Sequence, residues 1–203
     1  MSWFGAAATV VIVAAAVFSV PLAAALALLW SRIARVPWSE IGFGRPRSWA
    51  ATLAAGIAGG VLFKLVMKAV VMPLLGGPAI NPKYHYLAHN TAELPAILAA
   101  VIIGAGFGEE IFFRGFLFER LRRLRTPTAA IVALTTLLFS LAHLPDQGVA
   151  GAEQAVFTGL AFALLYVATG NLWTSIAVHA AFDVAAVAII YFDVEARVAR
   201  LVF

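Results

Sequence analysis

No charged residue precedes Arg32, and the apolar stretch that fills those positions is only the first of several. Similar stretches follow over 49–75, 95–121, 128–144, 153–169 and 172–192. Crossing a hydrocarbon core takes about 20 apolar residues in a helix, and only helices or closed barrels satisfy their backbones there. The stretches are long and show no period of two, so helices are expected rather than barrel strands. The predicted fold class is all-α: a polytopic integral membrane helical bundle of about six transmembrane helices. Composition agrees, since 63% of the 203 residues are hydrophobic and 12% charged, with a mean hydropathy of +0.96. Soluble domains lie nearer one half and one quarter.

The first helix is predicted from Trp3 to about Trp30, with Pro21 placed to kink it. It is about twice as long as a signal-peptide core and no basic region precedes it, so it reads as a retained membrane helix. The second runs from Trp49 to Leu75 and carries Lys64 and Lys68, which are expected to snorkel to the interface or to line a cavity entrance. The polar loop "GGPAINPKYHYLAHNTAEL" follows, long enough for a lid or an interfacial segment, with His85 and His89 read as solvated. The third helix is predicted from Pro95 to Leu121. The fourth runs from Thr128 to Leu144, where Pro145 stops it, the fifth from Glu153 to Thr169, and the sixth from Leu172 to Phe192. Three segments result: 1–94, two helices and the loop; 95–192, a four-helix core; and 193–203, an amphipathic tail expected to lie in the interface.

The net charge of +4 rests on 14 basic against 10 acidic residues, and the basic ones gather in short connections. Arg32, Arg35, Arg45 and Arg47 follow the first helix, and Arg120, Arg122, Arg123 and Arg125 follow the third. Six helices put both groups on one side, the cytoplasmic one by the positive-inside rule. Arg197 and Arg200 pull mildly the other way. The pattern is a topology signal and does not point to nucleic acid. Cysteine is absent, which excludes disulfides and thiolate metal sites.

Against this background, "GEEIFFRGF" over 108–116 places Glu109, Glu110 and Arg114 inside a membrane helix. A charge at mid-membrane costs roughly 2.5–3.5 kcal/mol, so these three and Asp183 facing lipid would together cost on the order of 10 kcal/mol. They must face one another or water. Glu110 and Arg114 stand one turn apart in the favourable acid-before-base order, while Glu109 lies about 100° around the helix. One acid is thereby neutralised and the other left free. The remaining polar residues of the spans are His143, four after Phe139, and His179, four before Asp183.

Helical rise gives their depths. Measured from the arginine side, Glu109 lies roughly 20 Å up its helix, His143 roughly 25 Å, His179 roughly 13 Å and Asp183 roughly 19 Å. Four polar residues on three helices thus share a band of about two turns. Ala100, Gly104 and Gly108 recur every fourth position just before the acids, where a neighbouring helix could approach closely. A carboxylate beside imidazoles in an apolar cavity suits the activation of water. The second histidine and Asp183 could orient a nucleophile or stabilise an oxyanion, which Asp183 could do only when protonated. Ser140 and Ser175 lie in no nucleophile-elbow context.

Glu109-Glu110-x-x-x-Arg114, Phe139-x-x-x-His143 and His179-x-x-x-Asp183 resemble the three ordered motifs of the CPBP (CAAX prenyl endopeptidase and bacteriocin-processing, or Abi) family. The resemblance spans about Pro95 to Phe192. It implies an intramembrane endopeptidase with its catalytic site inside the bundle, in which Glu109 and His143 activate water. His179 and Asp183 complete the oxyanion site, and Arg114 holds Glu110, with Phe139 in support. The family's third motif ends in Asn or Asp, and here it is the acid. The implied substrate is a protein or peptide in or at the bilayer, lipidated (CAAX-type) or not, and the implied location is the bacterial inner membrane.

Other readings remain beside this one. Glu109, Glu110 and Arg114 could form a structural network or a transporter's proton relay, and a bacteriocin-immunity-type binding protein could keep the residues for structure. His143 could be an interfacial histidine, and His179 with Asp183 a simple helical pair. Phe112, Phe113, Phe116 and Phe118 read as packing or lipid-facing, with some available to line an apolar groove. A divalent metal such as zinc is the chemical alternative, with Glu109, His143, His179 and Asp183 as ligands. No His-Glu-x-x-His segment is present. Charge counting suggests access from the external face, whereas the family's cleavage of prenylated proteins suggests the cytoplasmic one.

Overall fold

The computed structural model describes residues 3–203; Met1 and Ser2, part of the predicted segment 1–94, lie outside the described residues. All regular structure among the described residues is helical. Four helical runs are long and apolar enough to cross a membrane: Trp49–Leu74, Leu94–Arg123, Thr128–Thr169 and Leu172–Tyr191. Their outward faces carry exposed Leu53, Ile57, Leu62, Ile103 and Leu137, as lipid-facing surfaces require. The chain is an integral membrane protein with a polytopic helical bundle.

The first predicted span is two helices, α1 (Trp3–Phe18) and α2 (Val20–Ile33). Ser19 is extended at φ −164° and its Oγ accepts from Leu22 N at 3.4 Å, while Pro21 sits in the first turn of α2, where its missing N–H costs nothing. Helices of 16 and 14 residues rise about 24 and 21 Å, each short of a ~30 Å hydrocarbon core. Pro21 therefore marks a break rather than a kink.

α3 (Trp49–Leu74) and α4 (Leu94–Arg123) contain widened, π-helical turns at Met67–Val71, Ala100–Glu109 and Ile111–Phe118. Such turns are uncommon and gather at functional sites. Both acids of α4 lie at the junction of its two π-helical stretches.

The run Thr128–Thr169 is a hairpin. Ser140 Oγ donates to Ala152 O at 2.8 Å, and a Cβ on Gly159 would meet the Phe139 ring at 3.0 Å. In a straight helix residues 139 and 159 would stand about 30 Å apart. The reversal is at Gly148, whose φ of 66° and ψ of −167° are open essentially to glycine alone. Two helices result, α5 (residues 128–147) and α6 (residues 149–169). The fourth helix thus runs through Pro145 instead of stopping there, and the fifth begins before Glu153. The physical reason is that a proline this close to a helix end removes one hydrogen bond, whereas Gly148 turns the backbone.

α7 (Leu172–Tyr191) is the central helix. A Cβ on Gly56 would lie 2.5 Å from Ala177 Cβ, one on Gly60 2.3 Å from Val178 O, and one on Gly106 2.8 Å from Ala180 Cβ. α3 and α4 therefore both press on α7 through glycines against alanines. The stripe Ala100, Gly104, Gly108 does not make this contact: Cβ atoms on its glycines would meet Pro21 of α2 at 3.9 and 3.4 Å.

The alternation of the helices puts both arginine-rich connections and Gly170 at one end. There Arg123 pairs with Glu40, Tyr166 donates to Glu119 at 2.9 Å and Leu172 N donates to Gly42 O at 2.8 Å. The 75–93 loop, the Gly148 turn and the C-terminal tail share the other end. The tail holds α8 (Glu195–Ala199) and does more than lie in an interface. Glu195 is buried and accepts from Lys68 Nζ at 3.3 Å and Asn81 N at 3.0 Å.

Gly60→Ala should lower the stability of the detergent-solubilised protein by about 1–3 kcal/mol through overpacking against backbone. Gly59→Ala should be neutral or slightly stabilising, because its Cβ would find only Val178 Cγ2 at 3.9 Å and a helix prefers alanine. Thermal unfolding of the two variants side by side checks this.

Candidate active site

Glu110 and Arg114 are both completely buried. Arg114 Nη1 donates to Glu110 Oε1 at 2.8 Å, and its Nη2 donates to Gly159 O on α6 at 2.9 Å. The guanidinium carbon lies 4.8, 5.6 and 5.8 Å from the ring centroids of Phe139, Phe162 and Phe113. An ion pair removed from water needs several partners; this one is held by a carboxylate, a carbonyl and three rings, while Arg114 Nε and Glu110 Oε2 have no hydrogen-bond partner. Glu110 has a further partner, His179 on α7, whose Nδ1 stands 2.8 Å from the same Oε1. A carboxylate accepts, so Nδ1 carries the proton and Nε2 is turned the other way.

Glu109 points away from that pair and is 18% exposed. Its Oε2 has no hydrogen-bond partner. His143 Nε2 and His179 Nε2 each stand 3.9 Å from that oxygen, and Asp183 Oδ2 is 3.4 Å from His179 Nε2. His143 Nδ1 is 2.8 Å from Phe139 O; a carbonyl can only accept, so this ring too exposes Nε2. Phe139 itself packs against both imidazoles, with centroids 4.6 and 6.0 Å away. Three helices thus bring Glu109, His143, His179 and Asp183 to one point, with both rings oriented by their far nitrogens.

The family model described as Type II CAAX prenyl endopeptidase Rce1-like matches residues 91–185. This match supports membership of the CPBP family. Comparison with curated proteins and with solved structures gave no significant match. The matched segment contains all four converging residues together with Glu110, Arg114 and Phe139, whereas α1, α2 and α3 lie outside it. The match supports, in general terms, a CAAX-type intramembrane endopeptidase.

The four converging residues form part of the wall of a cavity of about 770 Å³. The cavity runs to the end of the bundle opposite the arginines, where Asn81, Lys83 and Tyr84 of the 75–93 loop and Asp146 line it. Lys83 pairs with Asp146 there. His85 is partly exposed, with Nδ1 3.5 Å from Glu195 Oε2. Ser140 is occupied by Ala152 O and Ser175 is fully buried, and neither lines the cavity. Phe112, Phe113, Phe116 and Phe118 are all buried packing residues.

Three contributors escaped the sequence reading. Phe162 of α6 stacks on His179 at 4.5 Å and 29°, Gly159 gives its carbonyl to Arg114, and Gln154 lines the same cavity. Gln154, Thr158 and Phe162 recur every fourth position on α6. Two polar side chains on one face of an apolar helix were the available signal.

The donor set has the types zinc uses, two imidazoles and carboxylates. Bonds of 2.0–2.1 Å to a tetrahedral ion would bring donors to about 3.3 Å of one another, closer than the two 3.9 Å separations. Among the described residues no group of three or more such side chains is arranged to hold a metal ion.

Arg114→Met should strand Glu110 and cost about 3–5 kcal/mol of stability, as breaking one side of a buried pair does. Glu109→Gln should cost little, since its Oε2 accepts no hydrogen bond that the substitution would break. Chemical or thermal denaturation in detergent separates the two.

Proposed function

We propose that the protein hydrolyses peptide bonds of membrane-associated or lipidated substrates with a water activated by Glu109 and His143. The observation that carries this reading is the 3.9 Å gap between Glu109 Oε2 and His143 Nε2. Two hydrogen bonds of about 2.8 Å meeting at a water with an angle near 90° span that gap. Glu109 takes the water's proton, and the oxygen attacks the scissile carbonyl carbon. The C–O bond forms as the carbonyl π electrons move to its oxygen. That oxyanion faces His179 Nε2 and Asp183, which stabilise it when they carry protons. Collapse breaks the C–N bond, and the proton held by Glu109, relayed through His143, goes to the departing amine. Glu110 and Arg114 act through His179, fixing which of its nitrogens faces the cavity. No step needs a metal ion. The location that fits is a bacterial inner membrane, with the cavity mouth on the face opposite the arginines.

Purified protein in detergent, offered a prenylated CAAX peptide and an apolar unmodified peptide, should cleave at least one. Glu109→Gln should lower kcat by about 10²–10⁴, and His143→Ala should fall in the same range. Cleavage by Glu109→Gln at the wild-type rate would sink the mechanism. A strong chelator should leave the rate unchanged; inhibition reversed by added zinc would instead establish a metal-dependent enzyme.

A further inference from the structure

Three lysines line the cavity, and two of them are paired: Lys68 with Glu195 at 3.3 Å and Lys83 with Asp146. Lys64 is the exception. It is 8% exposed and makes no ion pair among the described residues. Its Nζ reaches Gln154 Oε1 at 3.5 Å, the outer limit for a hydrogen bond, and lies 4.7 Å from the centroid of Phe182. An ammonium has three donors, and a neutral amide at this distance satisfies at most one of them poorly. Asp183 and Glu195 act on it only through space, with no ion-pair contact; a buried cation held this way is costly inside a bilayer, and the proteolytic steps do not use it.

We propose that Lys64 receives a carboxylate of the bound substrate and so helps to determine which peptides are cleaved. The inference rests on the proteolytic reading. Phe182, over which the ammonium lies, precedes Asp183, so a carboxylate held there would be on the same wall as the His179 and Asp183 side of the cleavage point. Peptide advances ~3.3–3.6 Å per residue when extended, so the ligand is an anionic group a few residues from the scissile bond. The anions a peptide offers are its free C-terminus and its acidic side chains. Gln154, whose amide also faces the cavity, supplies a second donor once Lys64 turns to the ligand.

The test compares one cleavable peptide as free acid and as C-terminal amide, and the amide again with a glutamate near its end. Wild-type protein should favour a carboxylate-bearing form over the plain amide by about 10-fold to 100-fold in kcat/KM, the range of one charge-assisted hydrogen bond. Preference for the free acid assigns the C-terminus, and preference for the glutamate form assigns a side chain. Lys64→Gln should reduce the favoured peptide to the level of the plain amide and leave the plain amide unchanged, while Lys64→Arg should keep the preference. Equal loss on all peptides, or no preference in the wild type, overturns the proposal. The same peptides are titrated onto the Glu109→Gln protein with and without Lys64→Gln, reading tryptophan fluorescence. A carboxylate preference that disappears with the lysine supports the proposal even if no peptide is hydrolysed, an outcome that would defeat only the proteolytic reading. Equal affinities overturn the proposal by themselves.

Discussion

A guanidinium with no exposed surface inside a membrane bundle must find its partners in the protein, and Arg114 finds them for its two terminal nitrogens, while its Nε has no hydrogen-bond partner. Glu110 lies one turn back on the same helix, Gly159 offers a carbonyl from α6, and three phenyl rings close the rest. Glu110 in turn fixes His179 of α7. One ion pair therefore ties α4, α6 and α7 together. The free carboxylate of Glu109 and the outward nitrogen of His179 have their positions because that pair has its own. Buried pairs are poor sources of stability, since desolvation consumes most of the attraction. Geometry is what this one supplies.

The helices reach these contacts by two backbone devices. Glycines of α3 and α4 let α7 approach at distances that any Cβ would forbid. Gly148 adopts a backbone conformation closed to other residues and turns α5 back along α6, which brings Phe139 against Gly159. Without that reversal Phe139 would stand about 30 Å from Gly159. The two acids stand where the π-helical stretches of α4 meet, and their carboxylates leave the helix in different directions: one into the ion pair, the other into the cavity.

Much of this was legible in the sequence. Apolar stretches about 20 residues long without alternation leave a helical membrane bundle as the only economical fold. The cost of intramembrane charge forces Glu109, Glu110, Arg114 and Asp183 to face inwards. Spacing of four residues explains why Glu110 meets Arg114 and why His179 meets Asp183. The boundaries were less legible. Pro21 and Pro145 are strong signals for interruption, but they do not say whether a helix kinks, breaks or carries on for one more turn. Ser19 and Gly148 made that decision, through a side-chain cap in one case and a positive φ in the other.

The sequence by itself determined the fold class, the inward-facing set of charges and the helical pairs that lie one turn apart, because each follows from hydrophobic length, desolvation cost or local helical geometry. Only the tertiary structure decided which nitrogen of His179 faces the cavity, that Glu110 serves Arg114 and His179 at once, and that Lys64 has no ion-pair contact among the described residues while Lys68 and Lys83 are paired. The contacts that fix His179, Lys68 and Lys83 join residues 63 to 127 positions apart, and no local period records them. They depend on how closely glycines allow helices to pack, and on where a single left-handed residue turns the chain.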